Sequence, residues 1–154
     1  MRKYDSVEVG KYLMALANER GIVLNVTKVQ KLLFIVYGYF LAKHNRVIID
    51  EQPKAWPFGP VFPRAKKQID YSKIIKLDYE YLNVVKQDAE LTEFLIQLLS
   101  DFGNLSALTL TEWSHKEGSP WHRTTQQQGF KWNTPIPDEY IKEYFTPIFN
   151  GNPN

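Results

Sequence analysis

The sequence predicts a mainly α fold, a compact single domain of helices around one central buried helix with a small extended or β insert. Three observations carry this. Residues 27–43 are apolar on nearly every helical face, several other segments repeat the i, i+3, i+4 pattern, and turn-forming residues crowd between about 46 and 85.

The first helix is expected from Ser6 to Arg20. Asp5 and Ser6 are competent N-caps, and Gly21 supplies a left-handed stop. Val9, Tyr12, Leu13, Leu16 and Ala17 form its apolar stripe. In the second, "TKVQ" reads as a capping box in which Thr27 closes the start and Gln30 reaches back. Val29, Leu32, Leu33, Val36, Tyr37, Phe40 and Leu41 fill one face; Phe34, Ile35 and Tyr39 extend it round the helix. Gly38 costs such a helix about 1 kcal/mol against alanine, which predicts another backbone passing close by.

Between His44 and Pro57 the short apolar pieces "RVII" and "KAW" suggest a small hairpin or extended loop. The stretch "AWPFGPVFPRAKK" follows, with three prolines, a glycine and three large rings between Trp56 and Pro63. It predicts a stiff corner that is neither helix nor regular strand, because each proline fixes φ and biases the residue before it. Trp56, Phe58 and Phe62 are expected to roof the central helix, with one ring left on a rim for a partner. "PRAKKQI" fits a short helix with Pro63 at its first position. "IKLDYEYL" alternates like a half-exposed strand.

Leu91, Phe94, Leu95, Leu98, Leu99 and Phe102 mark a helix from Asp88 to Phe102, stopped by Gly103. Ser106 caps a helix expected to run to Gly118. A last helix follows Pro137, with Ile141, Tyr144 and Phe145 inward and Pro147 breaking it. Residues 1–150 are read as one domain and 151–154, "GNPN", as a disordered tail.

Composition excludes several function classes. With 154 residues the chain buries well over half of its unfolded surface. It contains no cysteine, which removes disulfides, thiolate zinc and iron–sulfur sites and fits a reducing cytoplasm. The start "MRKYDSVEVG" lacks an apolar signal core, and "LLFIVYGYFLA" is about half a membrane span. A net charge of +2 does not single out nucleic acid or an anionic membrane as the main partner.

No catalytic residue, metal ligand or cofactor is assigned. His115, Glu117 and His122 raise a metal reading, but the zinc-deaminase pattern requires cysteines, and Gly118 and Pro120 keep the histidines off a shared helix face. His115 suits a helix terminus, where its charge meets the last carbonyls. Arg64, Lys66 and Lys67 are the candidate phosphate contacts in an alternative nucleic-acid-binding reading, against a plain solvated helix face.

"TKVQKLLFIVYGYFLA", "AWPFGPVFP", "LSALTLTEWSHKEGSPWHRT" and "IPDEYIKEYF" occur in the order and spacing of the Panacea domain. The chain resembles this bacterial and phage family of SocA-like antitoxins and phage-associated proteins from about its first helix to Phe145. Its sharpest pieces are Ala55-Trp56, Gly59-Pro60-Val61, and Ser114-His115 followed by Glu117, Ser119-Pro120-Trp121 and Arg123. Ser114 stands where the family often has threonine. Many relatives carry an added N-terminal DNA-binding module that this sequence does not show, so self-repression of an operon is not expected.

The resemblance implies a cytoplasmic antitoxin that binds and neutralises a toxin encoded by an adjacent gene, with no enzyme activity and no cofactor. Trp56, Phe58, Gly59, Pro60, His115, Glu117, Trp121 and Arg123 are its partner-binding or motif residues. The alternatives are a phage or mobile-element protein that binds a host factor, and a nucleic-acid-binding regulator. An exposed aromatic patch also suits a homo-oligomer.

Overall fold

The computed structural model describes residues 2–150. Helix α1 (Ser6–Glu19) is capped by Asp5, whose carboxylate accepts from the Val7 N–H at 3.0 Å, and the stripe from Val9 to Ala17 is buried. Helix α2 (Val26–His44) is buried along almost its whole length. Its cap is Asn25, accepting from the Lys28 N–H at 2.9 Å, and not the expected Thr27 box. Gln30 is drawn away to tertiary partners: its carbonyl accepts from the Phe62 N–H at 2.7 Å and its amide donates to the Tyr71 hydroxyl at 3.0 Å. The chain leaves α2 through Asn45 in the left-handed region, φ 49°.

Three short strands follow from distant parts of the chain. β1 (Lys54–Trp56) pairs antiparallel with β2 (Gly59–Val61), and its other side pairs with β3 (Thr134–Pro135), giving the order β2-β1-β3. The corner expected to avoid regular structure is therefore a tight hairpin with Pro57 and Phe58 at its tip. Pro60 is tolerated opposite Ala55 because β2 is an edge strand, and Gly59 takes the φ of 115° that the turn needs. Of "RVII", Ile49 makes only a parallel bridge to Tyr4.

Helix α3 (Pro63–Gln68) starts on its proline as the sequence predicts. The expected strand over 75–82 is absent; that stretch is turns and a 3₁₀ segment at Glu80–Leu82, followed by another at Val85–Gln87. Alternation misleads there because the buried Leu82 and Val85 plug the core from i to i+3 turns, such as Leu82 N–H to Tyr79 carbonyl at 2.9 Å.

Helix α4 (Ala89–Phe102) is capped by Asp88, whose other oxygen receives Tyr4 Oη at 2.9 Å and Arg46 Nη2 at 3.1 Å. These contacts and its capping bond, outweighing burial, hold the Asp88 carboxyl below the usual carboxylate range. Helix α5 (Ala107–Ser114) stops four residues short of Gly118, and a separate α6 (Pro120–Thr125) follows, capped by Ser119 onto the His122 N–H at 3.1 Å.

Helix α7 (Asp138–Phe149) runs through Pro147 instead of breaking there. Pro147 lies on the exposed face of the last turn, so it forgoes only its own N–H bond and only two helical residues follow it. This helix is the most extensive neighbour of α2. The close approach at Gly38 is made by the Phe145 ring, which occupies the space a β-carbon would need, and not by a second backbone. Among the described residues the architecture is mainly α with one small sheet, and no helix is long and apolar enough to cross a membrane. The tail expected at 151–154 lies outside the described residues.

Candidate partner-binding site

Two stretches far apart in sequence, 55–61 and 114–121, meet over the second turn of α2. Gly59 is the hinge of the contact. A β-carbon on it would lie 2.7 Å from both Lys31 Cε and Ser114 Oγ, so only hydrogen fits between hairpin, α2 and α5. Ser114 turns its hydroxyl into the Thr111 carbonyl at 2.8 Å, and its own carbonyl receives the Ser119 hydroxyl at 3.0 Å. That second bond folds the chain sharply from α5 into α6.

The fold in turn aims Trp121 at the hairpin. Its indole N–H donates to the Trp56 carbonyl at 2.8 Å, and its ring stacks on His115 with centroids 4.0 Å apart. Trp56 donates its own indole N–H to Asn133 Oδ1 at 2.9 Å and lies beneath the Lys66 ammonium, 5.7 Å from its centroid. The hairpin is thus braced on both sides, and Phe58 projects from its tip at 76% exposure. Trp132, 52% exposed, lies 6.3 Å from Trp121 and continues the aromatic surface. Phe62 points the opposite way, fully buried against Tyr37.

His115 ends α5 as expected, but not as a cation. Burial and then the nearby Lys31 ammonium push its pKa below the ordinary histidine value, and its Nε2 is buried without a hydrogen-bond partner. Lys31 is the site residue that the sequence pattern did not single out. It is 3% exposed, and its ammonium donates one long bond, 3.4 Å, to the Pro60 carbonyl. Burial pulls its pKa from 10.5 down to about 8. A signal for it exists all the same: a lysine in a helix apolar on all faces has no solvated side to occupy.

Apart from Lys66, which reaches over Trp56, the remaining candidates lie outside this cluster. Glu117 is exposed in the turn before α6. Arg123 ties α6 to α7, bonding Glu143 at 2.8 Å with its guanidinium 3.9 Å from the Tyr140 centroid. Arg64 is engaged by Asp5 at 3.2 Å and by the Asp50 carbonyl at 2.6 Å, while Lys66 and Lys67 are exposed. The Gly118 N–H donates to His122 Nδ1 at 3.3 Å, and among the described residues no group of three His, Asp or Glu side chains is placed to hold a metal ion.

Residues 29–122, from the second turn of α2 to α6, match the family model described as "Antitoxin SocA-like, Panacea domain". The chain belongs to the SocA-like Panacea family. Among curated proteins it is similar to Antitoxin SocA of Caulobacter vibrioides (strain NA1000 / CB15N), 29% identical over 128 residues that span 76% of this chain and 68% of the relative. No solved structure matches it. The matched Panacea stretch contains Lys31, Gly59, His115 and Trp121, whereas α1 and α7 lie outside it.

Proposed function

We propose that this Panacea protein is an antitoxin that binds a toxin polypeptide encoded beside it, in a bacterial or prophage toxin–antitoxin pair, and neutralises it in the cytoplasm without chemistry of its own. Membership of the SocA-like family carries the reading. The geometry supports it with a surface suited to a protein partner: Phe58 at the tip of a braced hairpin that also carries Trp56, and the exposed Trp132 stacked near Trp121, which bonds that hairpin. A ring held in place before binding gives up little conformational entropy on contact, and aromatic anchors of this kind dominate many interfaces.

The test is co-expression. The adjacent gene alone should arrest growth, and this protein should restore growth and co-purify with the product. A harmless neighbour, or a toxic one that this protein neither binds nor neutralises, overturns the proposal.

A further inference from the structure

Beside the Phe58 tip a cavity of about 90 Å³ opens between the hairpin and the start of α2. Its walls are Val26 and Thr27 from the first turn of α2, Trp56 and Phe58 from the hairpin, and the lysines Lys31 and Lys66. No acidic residue lines it, and among the described residues no ion pair includes Lys31. Gln30, also at the wall, already spends its amide on Phe62 and Tyr71.

From this arrangement we propose that the cavity is a receptor for a carboxylate group of a bound polypeptide, with Lys31 as its charged floor. A buried ammonium held by a single long hydrogen bond is costly, because neither solvent nor a counter-charge repays its desolvation. A fold that needed only to pin the hairpin would do so with an apolar side chain. An entering carboxylate supplies the missing charge, and the positive end of the α2 dipole adds to the attraction. The depressed pKa of Lys31 is the expected mark of an ammonium waiting without its anion.

Size and donor set favour a carboxylate over a phosphate. The space suits a small planar anion. Lys31 is a point-charge donor, the neighbouring imidazole is neutral, and no arginine fork faces the cavity to wrap a tetrahedral dianion. The polypeptide source rests on the antitoxin reading above; the anion site itself does not.

The experiment therefore has two arms. In the first, the protein alone is titrated with N-acetylalanine, which mimics a chain terminus, and with N-acetylglutamate α-methylamide, which mimics an acidic side chain. N-acetylalaninamide and inorganic phosphate serve as comparisons; NMR of the Lys31 side chain is the readout in the wild type, and the backbone amides of Thr27 and Gly59 at the cavity wall report binding in both the wild type and the variant. One of the two carboxylates should shift the Lys31 signals with a dissociation constant on the order of millimolar, as befits so small a fragment, and should raise its titration midpoint above about 8. The better of the two identifies the source. Lys31→Met, which keeps the stem and should stay folded, must weaken binding at least about tenfold, the loss of roughly one charge-assisted bond.

No response to either carboxylate, equal response to the neutral amide, or a stronger response to phosphate overturns the proposal. In the second arm Lys31→Met is co-expressed with the toxin and should lose protection; full protection overturns the polypeptide source. Failure of the wild-type protein to protect counts against the antitoxin reading, while the titration of the first arm still decides the anion site.

Discussion

His115 lies flat on Trp121, ring centroids 4.0 Å apart and planes 15° from parallel. The pair joins the end of α5 to α6, and through the Trp121 indole N–H it reaches the backbone of the hairpin at Trp56. The stack places an imidazole where burial and Lys31 both oppose its charge, so its folded pKa lies below its unfolded one. Its contribution to stability is therefore present above the unfolded value near 6.5 and is lost as pH falls through the folded value. Urea unfolding of the wild type and His115→Phe at pH 7.5 and 5.5 should show the wild type losing more stability on acidification. Phenylalanine keeps a stacking ring without the titration, so equal losses would remove the argument.

Gly38 tests how tightly α2 and α7 are fitted. Alanine should gain about 1 kcal/mol of helix propensity. The Phe145 ring fills the space of the new methyl group, however, and overpacking a closed core costs about 3 kcal/mol. Gly38→Ala should therefore destabilise by about 2 kcal/mol net. A variant as stable as the wild type would mean that Phe145 does not sit there.

Local signals make much of this fold legible. The stripes of α1, α2 and α4 and the caps Asp5 and Ser106 follow from neighbouring residues alone. What does not follow from them depends on distant partners. The strand at Gly59–Val61 exists because Lys54–Trp56 and Thr134–Pro135 complete a sheet. Asn25, not Thr27, is the cap, and Gln30 is spent 32 positions away, at Phe62. Of the site, the two motif stretches are readable, and the all-round apolar helix hints that Lys31 is buried, but the walls that close over it are not readable. Its environment is assembled from residues 28 and 83 positions downstream, at Gly59 and Ser114.

Under the proposed antitoxin role, Phe58 separates partner binding from folding. Its side chain is 76% exposed, so Phe58→Asp should change stability by less than about 0.5 kcal/mol. At the centre of an interface the same change removes an aromatic anchor and buries a charge, which costs more than about 2 kcal/mol of binding. The variant should fold normally by thermal melting yet fail to protect cells from the toxin. Full protection by Phe58→Asp would take the hairpin tip out of the interface.

Lys31 makes a prediction opposite in sign to most core substitutions. Its unfolded pKa is 10.5 and its folded pKa about 8, so the unfolded chain binds more protons between those values and stability rises with pH across that window. The full shift corresponds to about 3 kcal/mol of penalty at neutral pH. Lys31→Met escapes that penalty and loses the long bond to Pro60, a loss of about 1 kcal/mol. At pH 7 the variant should therefore be more stable than the wild type by about 2 kcal/mol, and the gap should close towards pH 9.5. The comparison stops there because the buried Tyr37 and Tyr71 hydroxyls, both raised above their usual pKa chiefly by burial, bring an opposing slope at higher pH. A variant less stable than the wild type throughout, or a gap that ignores pH, would show that the ammonium is compensated in the folded protein by a partner other than the Pro60 carbonyl.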